Sequence, residues 1–161
     1  MANLSAIAYA AQTLTSNGTD VTAADTVTIG TVVYTFRASV TTTANEVKVG
    51  GTAAASLDNL KAAINASDPT VHGSLTVANP YVEATTNTDT TQVVVAKVPG
   101  LVGNYIPTTK SAATLTWGTT VLAGGTGSVY VALQEIITQC QLNADVLQAL
   151  DVINSSVRQT V

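Results

Sequence analysis

Asp25-Thr-Val-Thr-Ile-Gly-Thr-Val-Val-Tyr-Thr-Phe-Arg37 alternates threonine with apolar side chains on both sides of Gly30-Thr31. A period of two places Val27 and Ile29 on one face of a first strand, and Val32, Tyr34 and Phe36 on one face of a second. Glycine between two such runs predicts a hairpin. Glu46-Val-Lys-Val49 then predicts a third short strand with Val47 and Val49 turned inward. After Gly50-Gly51 the period changes to that of a helix. Thr52 is placed to cap it, and Leu57, Leu60 and Ile64 form its apolar stripe over about 52–65, with Lys61 on the outer side and Ser67-Asp68-Pro69 as the stop.

Further alternating runs predict strands at about 75–77, 81–85, 92–98 and 114–117, with a last segment near 120–122. Pro99-Gly-Leu-Val-Gly-Asn104 and Ile106-Pro107 read as an irregular connection. The expected fold is α+β, mainly antiparallel β, with one short helix in the body and a long C-terminal helix. Residues 1–19 read as an N-terminal arm, 20–123 as a β-rich body, 124–127 as a glycine hinge, and 128–161 as a helix for oligomerisation or docking. The six-residue echo between Thr26-Val-Thr-Ile-Gly-Thr31 and Thr114-Leu-Thr-Trp-Gly-Thr119 fits two similar hairpins and does not amount to a solenoid repeat.

In the C-terminal segment the apolar residues follow a 3,4 spacing. With Leu133 taken as a heptad a position, the seam runs through Leu133, Ile136, Cys140, Asn143, Leu147, Leu150, Asn154 and Val157. Ile137, Ala144, Val146 and Ile153 widen it, which suits either packing on the body or a bundle with several neighbours. Asn143 and Asn154 would cost stability in a seam and can specify register or chain number. The segment from 128 to 161 holds only Glu135, Asp145, Asp151 and Arg158 as charged side chains, so interhelical ion pairs cannot be its main specificity device. The candidate oligomer interface is therefore Leu133, Ile136, Ile137, Cys140, Asn143, Ala144, Leu147, Leu150, Asn154 and Val157.

Composition narrows the functions open to the 161-residue chain. Charged residues are 10% of it, against about 25% in an ordinary soluble domain. Six Lys and Arg against ten Asp and Glu give a net charge of −4, so no basic surface exists to neutralise a phosphate backbone, and no nucleic-acid partner is expected. One His, one Cys and one Met leave no supply for a His/Cys metal centre or a redox pair. Asp20 and Asp25 flank a loop without any calcium-loop pattern. His72 with Ser74 lacks a nucleophile elbow and reads as an exposed loop histidine, while Cys140 reads as a small apolar seam residue. Gly50-Gly51 and Gly124-Gly-Thr-Gly127 lack the ending of a phosphate loop. The expectation is no enzyme, with no catalytic, cofactor-binding or metal site. No signal peptide, anchor or membrane span is read either, since every apolar run is broken by polar residues.

As an ordered set, residues 25–36, Ala44-Asn-Glu-Val-Lys-Val-Gly50, Thr52 to Asn65, Ala96-Lys-Val-Pro-Gly-Leu-Val-Gly-Asn104 and Thr116-Trp-Gly118 to Leu122-Ala-Gly-Gly125 resemble a module of tailed-bacteriophage structural proteins. The resemblance covers about 25–125. It implies a non-enzymatic component of the virion, assembled in the host bacterial cytoplasm, and carries no active-site motif. The first expectation is a capsid decoration (cement) or head-fibre protein that forms a homo-oligomer, with a trimer as the state considered, and binds the major capsid protein or other virion proteins. The alternative is a tail fibre, collar or baseplate subunit. A further alternative is a receptor- or glycan-binding module using Tyr81, Tyr105 and Trp117 as a platform.

Overall fold

The computed structural model describes residues 7–127, 137, 138 and 140–152. Eight strands form two four-stranded sheets, and the chain is an α+β fold dominated by β-structure. The strands are β1 (Ala11–Ser16), β2 (Thr26–Ile29), β3 (Val32–Arg37), β4 (Glu46–Lys48), β5 (Val82–Asn87), β6 (Thr91–Ala96), β7 (Thr108–Lys110) and β8 (Leu115–Trp117). One sheet has the order β5-β6-β1-β8 and the other β4-β3-β2-β7. Helix α1 (Ala53–Asn65) packs on β5 and β4, an edge strand from each sheet, and at the opposite side β7 lies beside β8. A single buried cluster takes Leu14, Val94 and Leu115 from the first sheet, Val27, Tyr34 and Phe36 from the second, and Leu57, Leu60 and Ile64 from α1.

The hairpin forms where the alternation requires it. Ile29 pairs with Val32 across Gly30-Thr31, and Val27, Ile29, Tyr34 and Phe36 are all fully buried. Gly30 has a φ of 64°, and a Cβ there would stand 2.5 Å from the Tyr81 ring. Both the backbone and the space thus require glycine. Helix α1 begins at its expected cap: the Thr52 hydroxyl accepts a hydrogen bond from Ala55 N. It ends one residue before Ser67, at Ala66 in the left-handed conformation, where Ser67 N bonds Ala62 O.

Three expectations are corrected. Residues 11–16, read as part of an arm, form an inner strand paired to β6 on one side and β8 on the other. AQTLTS has one large apolar side chain, Leu14, so its alternation is weak, and neighbouring backbones hold it in place. The glycine stretch 124–127, read as a hinge, is sewn to the body. Ala8 and Thr126 bridge, Asn104 bonds both backbone groups of Gly125, and Leu101 N bonds Gly127 O. Residues 75–77 form no strand. Leu75 and Val77 are exposed because the loop is bonded instead to the carbonyls of Thr41 and Thr42. The mainly antiparallel expectation holds: among the described strands β4 alone pairs parallel, with β3, and β7 adds a strand too short to show periodicity.

Candidate assembly site

Residues 140–152 form helix α2, and every described residue of it is exposed. Ile137, Cys140, Asn143, Ala144, Leu147 and Leu150 of the expected seam lie in this region at solvent, while Leu133, Ile136, Asn154 and Val157 lie outside the described residues. Leu147 is 68% exposed and Leu150 50%, and Leu142, Val146 and Val152 add to the apolar surface. The 3,4 spacing puts positions 140, 143, 147 and 150 along one line of the helix. A helix of this length is marginal in water on its own, since an amphipathic helix draws most of its stability from what its apolar face packs against. Each leucine of such a seam contributes about 1.5–3 kcal/mol when it leaves water. The geometry therefore suits association with another helix.

In the body, several residues considered for chemistry are used to hold the fold. Among the described residues no group of three His, Cys, Asp or Glu is placed to hold a metal ion. Asp20 Oδ1 accepts from Val21 N, and Asp25 Oδ2 accepts from the backbone and hydroxyl of Thr22, so both carboxylates brace their own turns. Asp68 does the same for Thr70, and these bonds hold its carboxyl below the usual carboxylate range. His72 corrects its expectation: it is buried, 3% exposed, bridged through its backbone to Val47. Its Nδ1 lies 3.0 Å from the Gly73 carbonyl and its Nε2 has no hydrogen-bond partner. No hydrogen bond joins it to Ser74 or to a carboxylate among the described residues. Cys140, read as a packed seam residue, is exposed in the single chain.

Shallow clefts lie on the body. One of about 370 Å³ is lined by Lys110, Trp117, Gly118 and five threonines of the β7–β8 edge. Another, about 280 Å³, lies between Tyr9, Glu83, Thr85, Val95, Ala96 and Lys97. His72 lines neither. Tyr81 and Trp117 sit by opposite edge strands of one sheet, β5 and β8, so with strands about 4.8 Å apart the two rings do not form one platform with Tyr105. Tyr81 is occupied by Gly30 and by a bond from its hydroxyl to Thr31, while the Trp117 indole N–H donates to Thr109 O.

Sequence reasoning missed Asn79. It is fully buried where the chain enters β5, accepts from Tyr81 N and Val82 N through Oδ1, and donates to the Tyr34 hydroxyl through Nδ2. Its own backbone N–H reaches Ile64 O, and Lys97 Nζ donates to its carbonyl. One residue thus joins α1, β3, β5 and the strand end after β6. Burial pushes the Tyr34 phenol up to about 12, with the Asn79 bond working against it. Glu46 is the other internal anchor. Its Oε2 accepts from the backbone N–H and hydroxyl of Thr41, and its Oε1 lies 3.4 Å from Arg37 Nε. The Thr41 bonds first, then Arg37, hold its carboxyl below its ordinary value against a smaller opposing effect of burial.

Set against known proteins, the chain matches no family model, no curated protein and no solved structure. No helix among the described residues is long and apolar enough to cross a membrane.

Proposed function

We propose that this chain is a non-enzymatic structural subunit of a bacteriophage particle: a capsid decoration or head-fibre protein that self-associates through its C-terminal helix and uses its sheet body against the capsid lattice. The observation that carries the reading is α2, an apolar, heptad-spaced helix whose described residues are all exposed beside a body with a closed core. The chain's scarcity of charge supports it. A surface made of threonine hydroxyls and apolar groups is suited to broad contacts that bury area and align strand edges, and less to steering a charged ligand. The edge strands β7 and β8, three residues each, are short enough to limit random pairing.

Antibody raised against the chain and applied to purified particles of the phage that encodes it tests the assignment by electron microscopy. Label distributed over the heads is the expected result. Label confined to tails moves the same machinery to a tail fibre, collar or baseplate. Particles that lack the chain, by labelling and by mass spectrometry, overturn the reading.

A further inference from the structure

The irregular connection after β6 holds apolar side chains in water on a rigid mount. Val98, Leu101, Val102 and Tyr105 are all more than half exposed, Tyr105 reaching 81%. Looseness does not explain the exposure. Asn104 Nδ2 donates to Gly125 O at 3.0 Å and its Oδ1 accepts from Gly125 N at 2.9 Å. Gly100 N donates to Ala8 O, and Leu101 N to Gly127 O. Gly103 is buried so close to Ala10 and Ala96 that a Cβ there would come within 2.7 and 2.9 Å of their methyl groups. A loop fixed at this many points and still presenting four large apolar groups is organised for a contact it does not make with the described residues.

Its position identifies the contact. Leu101 is one hydrogen bond from Gly127, the point at which the described body ends on the way to α2. We infer that the 98–105 loop is the body-to-body contact between copies of this chain, meeting its counterpart on a second copy at the root of the helical seam. The inference rests on the self-association reading and adds to it a parallel arrangement, in which the exits at Gly127 converge and this loop is the part of the body nearest the axis. Residues 98–109 carry no charged side chain, so copies of the surface can face one another around a rotation axis without like-charge repulsion.

The test uses the full chain. Nitration of Tyr105 by tetranitromethane, followed by peptide mass spectrometry, is compared between the native chain and the Leu147→Asp/Leu150→Asp variant. Slower nitration of Tyr105 in the native assembly than in the dissociated variant is expected. Val102→Asp, with an unchanged melting profile for the body, is expected to weaken association by about tenfold or more, as for a residue in an interface core. Equal nitration rates, together with undiminished association of Val102→Asp, overturn the loop contact while the helix variant's dissociation leaves self-association standing. A native chain that is monomeric at every concentration overturns both.

Discussion

The body and α2 treat their apolar residues in opposite ways. In the body Leu14, Tyr34, Phe36, Leu57, Leu60 and Ile64 are sealed within one cluster that both sheets and α1 share. In α2 Leu142, Leu147 and Leu150 stand in water. The first arrangement is complete in one chain, whereas the second becomes stable only when something covers it. On the proposed reading, folding belongs to the body and assembly to α2.

The comparison is broken most severely by interchanging the damage. Phe36→Ala, which empties a fully buried ring position, is expected to cost the body about 3–5 kcal/mol in urea unfolding. Leu147→Asp/Leu150→Asp is expected to abolish association while leaving the body's unfolding midpoint at its dissociated-chain value, because those side chains touch no part of the core. A helix variant that unfolds the body as Phe36→Ala does would show that the two segments are one cooperative unit.

Asn79→Ala comes next. It strips acceptors from two backbone N–H groups at the start of β5, that of Val82 buried and that of Tyr81 part-buried, and a donor from the buried Tyr34 hydroxyl, and is expected to cost about 3 kcal/mol by the same measurement. Nothing in the local pattern of Ala78-Asn79-Pro80 marks this residue, since its partners are more than ten residues away in sequence as well as beside it. The hairpin, α1 and the strands at β4, β6 and β8 were legible because alternation, glycine and a threonine cap act locally. β1 and β7 were not, because their order comes from neighbours on other parts of the chain rather than from their own side chains. The C-terminal helix was readable from spacing, but the exposure of its described residues was not, since periodicity gives a face and does not say what covers it.

Titration sharpens the account of the body. The Tyr34 phenol is raised by burial to about 12, so the folded state prefers it protonated. Its contribution is complete below the unfolded phenol's pKa of about 10 and is lost as the pH rises through 12, roughly 2–3 kcal/mol over that window. Tyr34→Phe is expected to flatten the stability profile between those limits, measured by denaturant unfolding at fixed ionic strength. An unchanged alkaline slope would show that the phenol is solvated.

The smallest effect is at the acid side. Glu46 is held below its ordinary value, chiefly by Thr41, so its contribution is present above the unfolded carboxylate's pKa of about 4.3 and is lost as the pH falls through the depressed folded value. Thr41→Val removes the hydroxyl donor and keeps the backbone one. The stability difference between neutral and strongly acidic solution is expected to narrow, and an unaltered difference would assign the effect to the backbone bond and Arg37.

The assignment of assembly to α2 is tested most directly by the mass of the full chain in solution, measured by light scattering across a dilution series. A multiple of 16.3 kDa, three being the state considered first, that falls to 16.3 kDa in Leu147→Asp/Leu150→Asp is the predicted result. A native chain of 16.3 kDa at every concentration would contradict it.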